Sequence, residues 1–301
     1  MKLLFNFFIF PGFLFSAIIG LFLSFLDRKI TARLQYRIGP PWYQNFVDLI
    51  KLSAKEVTIP QKANFLFVLS PYIAILASNV IATILGLSLL KEGFFADLIV
   101  LVYLLIIPSL AVMLGASSSG NPLASVGVSR EMKLILSYEL PFILAILTVI
   151  IKSSGLIKLT EIITYQNNFK SHITSFSGFL TFLVSFICLH AKLGFVPFDT
   201  SEAEQEIMGG VFIEYSGFLL GLFKLAKNML LYIAPLFLII LFWAKNLNFF
   251  TLTFRYTLIF LTFVIVKNTN PRLKIEQILK FFWGPITILS IFALILAINS
   301  L

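Results

Sequence analysis

Five of the chain's fourteen acidic residues, Asp199, Glu202, Glu204, Glu206 and Glu214, fall within sixteen positions of an otherwise strongly apolar sequence. A carboxylate inside a bilayer costs about 2.5–3.5 kcal/mol even on the lenient insertion scale, so a chain that gathers several at one depth has a use for them. Burial and like-charge repulsion both favour the protonated form of clustered acids, and their protons belong to the group collectively. Such a cluster can relay protons, or change its charge when something nearby is reduced. A solvated acidic loop, in which Glu202, Glu204 and Glu206 serve solubility alone, fits the same residues.

The run reads PFDTSEAEQEIMGGVFIEYSG. Ser201-Glu202-Ala203-Glu204 matches a capping box, which predicts a short helix starting there. That helix puts Glu202 and Glu206 on one face, turns Glu204 away, and ends at Gly209-Gly210. Glu214 is expected about one turn inside the next spanning helix. Lys224 and Lys227, deeper in that helix, read as costly buried cations able to pair with the acids. A further acid, Glu139, sits in Ser137-Tyr138-Glu139-Leu140-Pro141. If the helix runs through from Arg130, Pro141 removes a backbone hydrogen bond and bends it near Glu139. If the helix starts at Pro141, Glu139 is an interfacial acid at its N-terminus.

The elements that must position these residues are set by composition. With 59% hydrophobic residues, 12% charged residues and 34 Phe, the chain is far from a soluble domain, in which about 25% of residues are charged. It reads as an all-α polytopic membrane protein with eight transmembrane helices, near 3–26, 65–90, 98–116, 134–151, 176–190, 211–241, 249–267 and 283–300. These fill residues 1–301 as a single integral membrane domain. The first span follows Lys2 and lacks a small-residue cleavage site, so it reads as a retained helix.

Alternate loops, beginning with 27–64, carry fourteen Lys and Arg, against six in the termini and remaining loops. By the positive-inside rule the richer set is cytoplasmic and both termini lie outside the cell membrane. The net charge of +9 then reflects topology and not nucleic-acid binding. The loop 191–214 becomes an acidic cytoplasmic segment leading into the sixth helix.

The first cytoplasmic loop, 27–64, opens with Arg28, Lys29, Arg33 and Arg37, suited to anionic lipid headgroups or an acidic partner. After the turn at Gly39-Pro40-Pro41, Phe46, Leu49, Ile50, Ser53 and Val57 recur at helical spacing, while Asp48, Lys51, Lys55 and Glu56 take other positions. This predicts an amphipathic surface helix, serving as a lipid anchor or as a docking surface. The second cytoplasmic loop, GASSSGNPLASVGVSREMK, ends in Arg130, Glu131 and Lys133.

Cys188 is the only cysteine, which excludes an internal disulfide and an iron–sulfur cluster held by this chain alone. His172 and His190 bracket the fifth helix at a separation of roughly 27 Å, too far for a haem pair. No catalytic residue, metal ligand or redox centre is assigned to the chain.

Three blocks, ARLQYRIGP followed by DLIKLSAKE, SREMKLILSYELP, and PFDTSEAEQEIMGGVFIEYSG, resemble the membrane subunit that joins the redox arm to the ion-pumping arm in respiratory complex I and its relatives. The resemblance covers nearly the whole chain, and the third block is the most specific. Quinone-reactive members usually carry an aromatic and Leu-Gly-Ala motif before an Arg-Ala pair where this chain has GNPLASVGVSREM, and a Glu-Tyr where it has Lys227-Asn228. The GNPLASVGVSREM form and Lys224 look like the hydrogenase branch, meaning formate hydrogenlyase and ferredoxin-linked membrane-bound hydrogenases, with sulfane sulfur reductases close by.

The resemblance implies a coupling subunit that itself performs no redox chemistry. Glu139, Asp199, Glu202, Glu204, Glu206, Glu214, Lys224 and Lys227 would relay protons or charge. Arg33, Arg37, Asp48, Lys51, Lys55, Arg130 and Glu131 would dock the redox subunits. A nickel–iron centre and iron–sulfur clusters would sit on a hydrogenase-like large subunit and its small partner above the cytoplasmic loops. Antiporter-like subunits would pack alongside in the membrane.

Overall fold

The computed structural model describes residues 2–90 and 97–299, without the side chains of Glu204 and Gln205. Its helices, in chain order, are Lys2–Phe8 (α1), Phe13–Leu34 (α2), Gln44–Ala54 (α3), Phe65–Leu89 (α4), Leu98–Ser117 (α5), Pro122–Lys152 (α6), Leu159–Asn168 (α7), Phe176–Lys192 (α8), Glu204–Ile207 (α9), Gly217–Phe242 (α10), Phe249–Thr269 (α11), Ile275–Phe281 (α12) and Thr287–Asn299 (α13). Seven segments are long and apolar enough to cross a membrane, and α8 is a shorter apolar helix. In hydrocarbon every backbone amide needs an internal partner, and long apolar helices meet that demand within themselves. The surface helix expected in the first loop is α3, packed between α2 and α10.

Boundaries differ from the sequence expectation where polar residues join helices. The fourth span begins at Pro122, because Asn121 caps it by accepting the Leu123 amide at 2.8 Å. α6 continues through Pro141, so Glu139 lies within a helix and not at its start. The first span is broken into α1 and α2 around Pro11. α12 and α13 form one span joined by a π-helical turn at 282–286, where the Thr287 hydroxyl donates to the Phe282 carbonyl at 2.6 Å.

α10 is the axis of the bundle: 78% of its apolar window is buried, against 22–56% in the other long spans. It packs on α2, α3, α4 and α11. Close approach to α2 depends on Gly20, where an added Cβ would lie 2.4 Å from the Asn228 carbonyl oxygen. α7 lies at the opposite end from the acidic run. There its buried Gln166 donates to the Ile240 and Leu241 carbonyls and accepts the Ala244 amide, satisfying groups that the end of α10 leaves unpaired.

Candidate charge-relay site

The acidic run folds as two short turns, not as the single capped helix expected. Thr200–Glu202 is a 3₁₀ turn, and α9 starts at Glu204 with Ala203 in the capping position and no side-chain cap. Ser201 is therefore not the cap, and it lines a small cavity together with Glu131. Glu202 and Glu206 consequently diverge. Met208, Gly209 and Gly210 all have positive φ, which ends α9 and turns the chain back toward α6. There the backbone at Gly210 and Val211 presses against Gly127, where a Cβ would lie 2.8 Å from the Val211 nitrogen.

Each described acid of the run has a partner on another element. Asp199 is clamped by Arg272, with Nε 2.9 Å from Oδ1. Glu202 accepts Lys227 Nζ at 2.7 Å on both oxygens. Glu206 pairs with Arg130, which also reaches the Thr200 carbonyl at 3.4 Å. Glu214 accepts a hydrogen bond from the Asn121 amide. Glu204, expected in the relay, has a side chain outside the described residues.

Glu214 precedes α10 instead of lying a turn inside it, because the helix starts only at Gly217. Its position is set by Tyr215, whose ring stacks on Phe67 with centroids 4.2 Å apart and whose hydroxyl donates to the Phe67 carbonyl at 3.0 Å. Loss of solvent pushes the Tyr215 hydroxyl up to about 12, so it remains a donor. The two lysines also depart from expectation as buried cations. Lys224 is exposed. Lys227 keeps 35% of its side chain exposed.

The remaining expected residues separate into two sets. Arg33, Arg37, Lys51 and Lys55 are exposed around α3. Asp48 is held within the fold by Arg28 at 3.2 Å and Gln44 at 2.8 Å, and Arg130 is held by Glu206. Glu131, expected at a docking surface, faces inward and lines a cavity of about 60 Å³ with Ser201, Glu202, Lys192 and Lys227.

Glu202 and Lys227 line that small cavity and also two wider ones of about 410 and 450 Å³; Lys227 lines a fourth of about 290 Å³ beneath α3. This ion pair thus lies where the small cavity beside Glu131 and the wider ones meet. Paired with Lys192, which also lines the small cavity, is Glu139. Its nearest counterion, Lys192 of α8, is 3.8 Å away, with side-chain exposures of 4% for the lysine and 17% for the acid. Neither Glu139 oxygen nor Lys192 Nζ has a hydrogen-bond partner among the described residues. The ammonium lies over the Phe142 and Tyr138 rings, at 4.8 and 5.4 Å from their centroids.

Sequence reasoning missed Lys192, Asp27, Lys267 and Arg272. Lys192 entered only as a loop charge. Asp27 read as the start of a loop, yet it lies inside α2 and pairs with Lys267 at 2.6 Å. The available signal was a lysine at the end of an apolar run, within a few residues of Pro197 and the acids. His190 also turns inward, its Nε2 2.8 Å from the Val196 carbonyl oxygen, which ties the end of α8 to the loop carrying Asp199. Among the described residues no group of three or more His, Cys, Asp or Glu converges as a metal site.

The chain as a whole is similar to known proteins. The family model described as NADH dehydrogenase matches residues 7–298. An NADH-quinone oxidoreductase subunit of Geobacillus thermodenitrificans (strain NG80-2) is 32% identical over 294 residues, covering 90% of this chain and 86% of its own. The corresponding NADH-quinone oxidoreductase subunit of Phocaeicola vulgatus is 32% identical over 300 residues, covering 89% and 82%. Among solved structures, that of the membrane-bound sulfane sulfur reductase, an archaeal respiratory membrane complex, superimposes with a TM-score of 0.90 at 27% identity, covering 99% of this chain and 100% of the other.

Proposed function

The chain belongs to the NADH dehydrogenase family, and on that premise we propose that it is the membrane-anchor and coupling subunit of a ferredoxin-linked, hydrogen-evolving oxidoreductase. It carries H⁺ or Na⁺ movement through its carboxylates and leaves electron transfer to its partners. The observation that supports this most is the order of charges from the loop end inward: Asp199 with Arg272, Glu202 with Lys227, Glu131 at the small cavity, then Glu139 with Lys192.

A carboxylate that loses its lysine in a partly dehydrated site gains affinity for a proton, and one that regains it releases that proton. Release of Lys227 from Glu202, driven by a change of charge above the loop, leaves Glu202 to take up a proton beside Glu131, with which it shares the small cavity. Lys192 is placed to answer the change at Glu139. Arg33, Arg37, Lys51 and Lys55 present the docking charge for a hydrogenase-like large subunit and its iron–sulfur small subunit. The nickel–iron centre and clusters reside on those chains, and antiporter-like subunits carry the translocation onward through the membrane.

Ion translocation per electron, measured with the purified complex in liposomes, tests the relay. Glu139→Gln and Glu202→Gln should keep electron transfer while ion movement per electron falls; unchanged movement in both variants would reduce the chain to a passive anchor. A second reading, a subunit of a sulfane sulfur reductase, is favoured by the near-complete superposition on that complex. Hydrogen evolution by the co-purifying assembly supports the first reading, and polysulfide reduction without hydrogen the second. Bound quinone with NADH-dependent quinone reduction would replace both.

A further inference from the structure

The end of the bundle opposite the acidic run holds a second, separate cavity. It is open, about 700 Å³ in volume, and lined by Lys152, Lys170, His172, Tyr165, Phe169 and Ser175 among others. Lys152 is the last residue of α6, and its Nζ is held by the Ser175 hydroxyl and by the Ser177 hydroxyl at 2.7 Å, both at the start of α8. His172 Nε2 lies 3.0 Å from the Ser153 hydroxyl oxygen. Burial, with a smaller contribution from Lys152, holds the His172 imidazole down to about 4, so the ring is neutral near pH 7. The positive charge of the cavity therefore comes from its two lysines. Among the described residues that line the cavity, no carboxylate answers either ammonium.

The surroundings identify what would. Lys152 ends α6, Ser175 caps α8, and Ala297 lies two residues before the end of α13, so the cavity sits at the level where three helices leave the membrane. Phe169 and Phe176 expose 62% and 67% of their surface beside it. Lys245 donates to the Phe169 carbonyl at 2.8 Å, bringing a third ammonium to the rim. A cationic floor with an aromatic rim at the membrane boundary suits an amphiphile with an anionic head better than a free ion, because the rim contributes only if acyl chains cover it.

We propose that this cavity binds the phosphate headgroup of an anionic phospholipid, with Lys152 and Lys170 as its charge partners and Phe169 and Phe176 against its chains. Bound there, the lipid ties the ends of α6, α8 and α13 together at the face away from the redox partners. The site is independent of the charge relay, so either can fail without the other.

The test uses the purified complex containing this chain, stripped with detergent and returned to nanodiscs of phosphatidylglycerol or phosphatidylcholine, with bound lipid counted by native mass spectrometry. Wild type should retain phosphatidylglycerol in preference to phosphatidylcholine. Lys170→Gln and Lys152→Gln should each weaken retention about fivefold, the value of one surface charge toward an anionic lipid, while Lys152→Arg should retain it. Three results would overturn the proposal: equal retention of both lipids, a doubly substituted complex that holds phosphatidylglycerol like wild type, or displacement of the lipid by equimolar inorganic phosphate.

Discussion

At the loop end, Lys227 meets Glu202 at 2.7 Å on both oxygens with about a third of each side chain exposed; inside the bundle, Lys192 and Glu139 stand 3.8 Å apart, nearly closed off from solvent and without a hydrogen bond. Exposed pairs gain little net energy, about 0–1 kcal/mol each, because water competes for both partners. Their value here is geometric: they staple the loop carrying Asp199, Glu202 and Glu206 to α6, α10 and the segment after α11. The interior pair has little access to water and no closed geometry, so each charge depends on the other. Tight pairs position the site, and the loose pair is the one able to respond.

The largest effect should come from breaking the interior pair on one side only. Glu139→Leu strands a buried ammonium and should destabilise the chain by about 3–5 kcal/mol. Adding Lys192→Met should recover most of that loss, because the uncompensated charge is gone. Denaturant unfolding of the purified complex measures both, and equal instability of the single and double variants would erase the distinction between the two classes of pair. Ion movement per electron should stay low in the double variant, since stability returns without the charges.

A smaller effect is expected at the loop end. Arg130→Gln should cost about 1 kcal/mol or less, since Glu206 keeps access to water. Lys227→Met should be equally mild for stability yet lower ion movement per electron, because Glu202 loses its cation. A loss of several kcal/mol in either variant would place these pairs with the interior one.

A separate effect concerns pH. The fold holds His172 at about 4, below its ordinary 6.5, chiefly by burial and then by Lys152. The neutral ring is thus the form the fold favours. Its contribution to stability is complete above pH 6.5 and is lost as pH falls toward 4, since the unfolded chain takes up the proton first. His172→Gln should flatten the slope of melting temperature over that window, and an unchanged slope would remove His172 as its source.

Much of the architecture was legible from short-range pattern. Apolar runs of about 20 residues marked the spans, and the helical spacing of Phe46, Leu49 and Ile50 marked α3. Legibility failed where a local rule competed with tertiary contacts. Ser201 satisfies the sequence rule for a cap, but it lies within a 3₁₀ turn beside Glu131 and the helix begins later. Glu214 looked like part of the apolar run that follows, yet the positive φ at Gly217 and the anchoring of Tyr215 on Phe67 delay the start of α10. Lys192 was invisible as a site residue, because its partner lies 53 positions earlier on α6.

By itself the sequence determined the membrane class, the approximate spans, the presence of a surface helix and the concentration of acid between Asp199 and Glu214. These are properties of composition and local periodicity, which need no knowledge of neighbours. The tertiary structure alone decided which cation answers which acid, that Glu131 turns inward, that Glu202 and Lys227 line the same cavities, and that Glu139 and Lys192 face each other without closing. The reason is physical. The state of a charge depends on burial and on partners from distant elements, and both exist only once the helices have packed.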